Sequence, residues 1–262
     1  MPLGCEKTKS LDSRLRGNDE SGNPRTGNTM RHALIFAAGL GERMRPLTNH
    51  TPKPLLTVGG KPLIEWHLEK LAAIDVRYVV INTSHLADQF PEVLGDGSRW
   101  GLRIRYAYEG PTPLETGGGM LNALGLLGPE PFIVISGDVW TDADVATLPA
   151  EPRGTGHLLL VDNPPHHPDG DFSLDAQGLV HDGGTPRLTY SGIGVFRREM
   201  LDAWQEVVHD AGAQQRPPRF KLRPLLERAI ARQELSGSHY QGAWTDVGTP
   251  ERLRELDERL GR

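Results

Sequence analysis

Two short runs place cations at a spacing suited to a polyanion. They are Ala37-Ala38-Gly39-Leu40-Gly41-Glu42-Arg43-Met44-Arg45-Pro46 and, just beyond, Thr51-Pro52-Lys53-Pro54. Small residues let an anion approach backbone amides, while Arg43, Arg45 and Lys53 neutralise its charge. A nucleoside triphosphate is such an anion. A Gly-x-Gly after a strand is also an ordinary tight turn, but a packing loop has no use for this much uncompensated charge. The dinucleotide fingerprint fails because Met44 holds the third glycine position, and the P-loop pattern is absent.

Two carboxylates could complete a phosphate site. Asp138 ends the buried run Phe132-Ile133-Val134-Ile135-Ser136-Gly137, and ligands in open parallel sheets collect at such strand ends. Asp246 follows the apolar-aromatic stretch before Gly248. Each alone reads equally as a turn former or helix cap. Brought together they would repel unless a cation joined them, and Mg2+ accepts a few carboxylates alongside phosphate oxygens and water. The run Glu115-Thr116-Gly117-Gly118-Gly119 opens a predicted helix with three glycines, which would expose amides to a flat ring or a ribose. A flexible loop leading into a helix reads the same way.

The elements that must position these groups alternate. Ala33 to Ala37, Tyr78 to Ile81, Leu102 to Tyr108 and Phe132 to Ile135 read as strands. Helices are predicted from Pro62 (Ile64, Leu68 and Leu71 on one face), over Leu86 to Leu94, and over Gly119 to Leu127. This rhythm predicts an α/β fold with a mostly parallel sheet covered by helices on both faces. Beyond residue 150, His157 to Val161 reads as a strand. Asp171 to Leu174 and Leu188 to Phe196 read as antiparallel pieces. Helices are predicted at Met200 to Val208, Leu222 to Arg232 and Pro250 to Leu260, the last capped by Thr249. Residues 30–150 and 151–262 read as one sheet with a substrate-binding lobe, not as two independent domains.

Residues 1–29 differ. Ser10 to Asn28 is rich in Ser, Gly, Asn, Asp and Arg, without helical or strand period. It reads as a tail or as a start placed too early, with Met30 the first residue of the fold.

Bulk composition excludes several classes. With 37% hydrophobic and 24% charged residues, the 262-residue chain suits a globular protein. A net charge of −5 leaves no basic footprint for nucleic acid. No apolar run approaches the roughly 20 residues of a membrane span, and Met1 to Lys9 has no apolar core for a secretory signal. The single Cys5 excludes an internal disulfide and cysteine-held zinc, and fits a cytoplasmic location. His166-His167 stands before Pro168 and reads as a solvated loop.

The glycine run together with Pro52-Lys53-Pro54-Leu55 resembles the signature of the sugar-1-phosphate nucleotidyltransferases. The resemblance extends from Met30 to the carboxyl terminus and is sharpened by Gly137-Asp138-Val139-Trp140 and Trp244-Thr245-Asp246-Val247-Gly248. It implies a Rossmann-like domain with a small sugar-binding lobe, a nucleoside triphosphate and a sugar 1-phosphate as substrates, and Mg2+ on Asp138 and Asp246. Arg43, Lys53 and Asp138 would act in catalysis. Ala37, Ala38, Gly39, Gly41, Glu42, Glu109, Gly117 and Gly118 would line the nucleotide, and Ser136, Asp171, Ser191 and Gly192 the sugar. The finer motifs imply UTP and N-acetylmuramic acid 1-phosphate. The Ala37-Ala38-Gly39 form leans towards a pyrimidine, whereas Ser136 departs from the asparagine expected in the nearest relatives. Relatives acting on other bases or sugars, or on phosphocholine with CTP, fit the same core motifs. A non-catalytic nucleotide-sugar sensor would not need Arg43, Lys53, Asp138 and Asp246 together.

Overall fold

The computed structural model describes residues 30–261; the segment read as a tail or early start, with Cys5, lies outside the described residues. In chain order the strands are β1 (His32–Phe36), β2 (Thr57–Val58), β3 (Lys61–Pro62), β4 (Tyr78–Thr83), β5 (Arg103–Tyr108), β6 (Phe132–Ser136), β7 (Val139–Thr141), β8 (Gly156–Val161), β9 (Phe172–Leu174), β10 (Val180–His181), β11 (Arg187–Phe196), β12 (Leu235–Tyr240) and β13 (Trp244–Asp246). The helices are α1 (Leu63–Ala73), α2 (Gln89–Leu94), α3 (Glu115–Ala123), α4 (Arg223–Ala231) and α5 (Pro250–Leu260).

Nine strands form one mixed sheet, whose main path runs β10-β9-β11-β6-β1-β4-β5. The strands β6, β1, β4 and β5 are all parallel, with Leu34 opposite both Val80 and Val134. Strand β11 then pairs antiparallel with β6 and β8, carrying the sheet without interruption across residue 150.

The alternation of β1 explains the two layers, because successive side chains point to opposite faces. Ala33 and Ile35 join Ile64, Leu68 and Leu71 of α1 and Phe90 of α2. Leu34 joins Met120 and Ala123 of α3 and Leu225 and Leu226 of α4 on the other side. Each fully buried leucine or isoleucine contributes roughly 1.5–3 kcal/mol. A third cluster, with Met44, Val58, Leu63, Trp140, Val247 and Leu256, ties α5 to the segment behind the glycine loop. Thr249 caps α5 as expected, its hydroxyl accepting from the Arg252 amide at 3.4 Å.

Four expectations need correction. The second helix starts at Gln89, because Leu86 sits at φ +53 and cannot join an α-helix. The third starts at Glu115, four residues early, and runs through the glycines. Met200 to Val208 is not a helix but two short 3-10 turns. Arg228 takes the carbonyls of Met200 and Asp202 at 2.7 and 2.6 Å, and Ala203 sits at φ +47 between the turns. Finally, β12 was not foreseen; Leu-Ser-Gly-Ser-His-Tyr has little strand character, yet it pairs parallel with β8 over six residues.

Candidate active site

The carboxyl ends of β1, β4 and β6 open into a cleft of two halves. One half, about 530 Å³, is lined by the glycine loop, Lys53, Glu109, Thr116 and Arg219. The other, about 510 Å³, is lined by His166, Asp171, Ser191, Gly192, Arg223 and Asp246. Phe36, Thr116, Ser136 and Asp138 belong to both, so Asp138 stands at their junction.

The glycine loop is shaped for an anion. Gly41 has φ +62, and a Cβ there would lie 2.7 Å from Thr48 Cγ2, so only glycine fits. Its carbonyl accepts from the Met44 amide and the Thr48 hydroxyl, both at 2.8 Å. The N–H groups of Gly39, Leu40 and Gly41 donate to no protein group among the described residues. A Cβ at Gly39 would meet nothing within 4 Å. Ala37, Ala38, Gly39, Gly41 and Glu42 all line this half. Arg43 does not: it is exposed on the 3-10 turn after the loop and makes no ion pair among the described residues.

Strand pairing brings two aspartates to one wall of the cleft. Gly137 donates its amide to the Phe36 carbonyl at 2.8 Å, a close approach that a Cβ would obstruct, and Asp138 follows in the turn to β7. Strand β13 lies antiparallel to β7 with Asp246 opposite Val139, and the Val247 amide donates to the Asp138 carbonyl at 2.7 Å. Beneath β7, the wholly buried His67 of α1 shares a 2.8 Å hydrogen bond with the Val139 carbonyl. Burial pushes its pKa down to about 4, so the neutral ring donates.

Cations sit on both carboxylates. Lys53 Nζ donates to Asp138 Oδ2 at 2.7 Å. Asp246 Oδ1 accepts from Arg252 and lies 2.9 Å from His166 Nε2. Among the described residues no group of three or more His, Cys, Asp or Glu is arranged to hold a metal ion, so the protein supplies no closed cage. Two carboxylates on one cleft wall do fit Mg2+, which keeps most of its positions for phosphate oxygens and water.

Glu109 lies at the centre of a buried network. Ala37 donates its amide to Asn82 Oδ1 at 2.6 Å, the Asn82 amide donates to Glu109 Oε1 at 2.6 Å, and the Leu114 amide donates to Glu109 Oε2 at 2.7 Å. Burial pushes the Glu109 carboxyl above its ordinary range, against the two hydrogen bonds that favour the anion. The residue therefore ties β1, β4 and the start of α3 together while facing the nucleotide half.

Gly117 and Gly118 act differently from the exposed amides expected of them. Both are buried in α3 and donate to the Phe220 carbonyl, at 2.9 and 3.0 Å. A Cβ on Gly117 would strike the Phe220 ring at 2.5 Å, and one on Gly118 the Pro218 carbonyl at 2.5 Å. They are glycine so that the segment around Phe220 can pack on α3. That segment delivers Arg219, which the sequence pattern did not single out. Its guanidinium pairs with Glu115 at 2.7 Å across 104 residues of chain and lines the nucleotide half. Asn82 was also missed, although a polar residue closing the apolar run Tyr78 to Ile81 was a usable signal.

In the second half of the cleft, Asp171 accepts from the Tyr190 amide at 2.8 Å and lies 3.2 Å from His167 Nε2. The Ser191 hydroxyl accepts from the Ile193 amide at 3.2 Å inside a bulge of β11. Gly192, at φ +80 in that bulge, packs against Ser136, where a Cβ would come within 2.7 Å of the hydroxyl.

A mixed sheet whose parallel strands end at a cleft, glycine-loop amides that meet no protein acceptor among the described residues, and Asp138 at the junction of two chambers suit a protein that joins two phosphorylated molecules. The chain belongs to the nucleotidyl transferase family, whose model matches residues 32–261. It is 46% identical over 236 residues to the N-acetylmuramate alpha-1-phosphate uridylyltransferase of Neisseria meningitidis serogroup B, covering 87% of this chain and 98% of that one. A protein of the same name from Caulobacter vibrioides is 34% identical over 243 residues, covering 87% and 96%. A Bacillus anthracis structure described as a glucose-1-phosphate thymidylyltransferase shares the fold with a TM-score of 0.72 at 21% identity, covering 88% and 95% of the two chains.

Proposed function

We propose that this chain transfers the uridylyl group of UTP to N-acetylmuramic acid 1-phosphate, giving UDP-N-acetylmuramic acid and pyrophosphate in a Mg2+-dependent reaction. The observation that carries the reading is the position of Asp138 at the junction of the two chambers, with Asp246 held beside it by the β7–β13 pairing. The names of two relatives, matched over almost their whole length, supply the substrates. The product would be a cell-wall precursor, and the reaction would serve peptidoglycan recycling in the cytoplasm.

A sugar phosphate oxygen attacks the α-phosphorus of UTP in line; the new P–O bond forms as the bond to the β-phosphate breaks and pyrophosphate departs. The attacking oxygen is already anionic, so no general base is needed. The difficulty lies in bringing two polyanions together and holding the charge that develops. Amides of Gly39 to Gly41 cradle the triphosphate, Arg43 on the loop's outer rim takes its far end, and Lys53 neutralises charge at the junction. Glu109 retains free lone pairs for a uracil N–H. Mg2+ held by Asp138 and Asp246 would supply further charge neutralisation between the reacting phosphates.

The purified protein, given UTP, N-acetylmuramic acid 1-phosphate and Mg2+, should release pyrophosphate in step with the sugar nucleotide seen by mass spectrometry. UTP breakdown without that product would count against the reading.

A further inference from the structure

Among the described residues lining the sugar half, Arg223 is the one permanent cation. Its guanidinium lies over the Phe172 ring, 4.5 Å from the centroid. Nε donates to Glu227 Oε1 at 2.7 Å and Nη2 donates to Asp182. Nη1 donates to nothing among the described residues and Nη2 makes one of its two bonds, so three of the five guanidinium N–H donors are free. Both acidic partners are about half exposed, at 48% and 52%, and water screens their hold on it. The other cationic candidates on this wall are committed: His166 to Asp246 and His167 to Asp171. Leu222 and Leu226 of the same segment line the chamber with Phe172, adding apolar surface beside the cation.

N-acetylmuramic acid differs from N-acetylglucosamine by one lactyl ether, which adds a carboxylate and a methyl group. A fixed guanidinium with spare donors, bordered by apolar side chains, matches that pair of groups. We infer that Arg223 is the specificity-determining residue that binds the lactyl carboxylate, with the methyl against Phe172, Leu222 and Leu226. This inference rests on the muramic acid reading above. It also explains how the chamber can discriminate between two sugars whose reacting phosphates are identical.

The test is steady-state pyrophosphate release at saturating UTP, by wild type, Arg223→Gln and Arg223→Lys, with each of the two sugar 1-phosphates. Arg223→Gln should lower kcat/KM for the muramic acid substrate about ten- to a hundredfold more than for the glucosamine substrate, chiefly through KM. Arg223→Lys should recover part of the difference. A preference that survives in Arg223→Gln, or equal losses on both sugars, overturns the assignment. Should Arg223→Gln prove insoluble, Asp182→Asn frees Nη2 and should lower KM for the muramic acid substrate alone; an unchanged ratio overturns the assignment equally. A wild-type enzyme active only on the glucosamine substrate would bring down the functional reading, and this assignment with it.

Discussion

Lys53 and Asp138, 85 residues apart, meet at 2.7 Å where the two chambers join. The lysine is 11% exposed and the aspartate 41%, so the cation is fixed in the wall while the carboxylate reaches into the cleft. The pair holds both groups at the junction, and under the proposed function each would loosen its hold on the other when phosphates arrive. Lys53→Gln should therefore reduce kcat by on the order of 10²–10³ while changing stability by less than about 1 kcal/mol. Pyrophosphate release and urea unfolding separate the two effects.

Asp138→Ala should abolish Mg2+-dependent turnover and leave the far-UV circular dichroism unchanged. Asp246→Asn should cost on the order of 10²–10³ in rate and raise the Mg2+ concentration needed for half-maximal activity. A Mg2+ titration of each variant is the check. An Asp246→Asn enzyme with a wild-type Mg2+ curve would remove Asp246 from the metal site.

Gly118→Ala tests the packing role assigned to the helix glycines. Its Cβ would sit 2.5 Å from the Pro218 carbonyl and 3.1 Å from Leu114 Cβ, so backbone must move. A loss of about 1–3 kcal/mol in urea unfolding is expected. Full stability with only UTP affinity reduced would restore the amide-cradle reading.

His67 makes a signed pH prediction. Its ring is neutral in the fold down to about pH 4, whereas in the unfolded chain it takes a proton near its ordinary value of 6.5. Between those values the unfolded state binds more protons, so stability falls as pH falls, by on the order of 3 kcal/mol in total. His67→Gln keeps an N–H donor for the Val139 carbonyl but cannot titrate. The difference between wild type and variant should shrink that acid slope by close to one proton; identical slopes would clear His67 of the effect.

What the sequence made legible follows from how local each signal is. Strand β1, the glycine loop and Lys53 lie within 22 residues, so apolar run, small residues and cations could be read as one unit. Asp138 was legible from the strand before it, but its partnership with Asp246 came only through family resemblance, because β7–β13 pairing spans about a hundred residues. Arg219 had no local signal: it matters because Phe220 docks on Gly117 and Gly118. Those glycines were misread for the same reason, since backbone exposed in a loop and backbone buried under another segment have identical residues. Met200 to Val208 carries helical apolar spacing, yet a guanidinium from α4 claims the carbonyls a helix would use.

The most direct measurement is a pyrophosphate-release panel crossing UTP, CTP, GTP and dTTP with the 1-phosphates of N-acetylmuramic acid, N-acetylglucosamine, glucose and mannose. The highest kcat/KM is expected for UTP with N-acetylmuramic acid 1-phosphate, and none without Mg2+. Efficient turnover of GTP with mannose 1-phosphate, and none with the muramic acid pair, would contradict it.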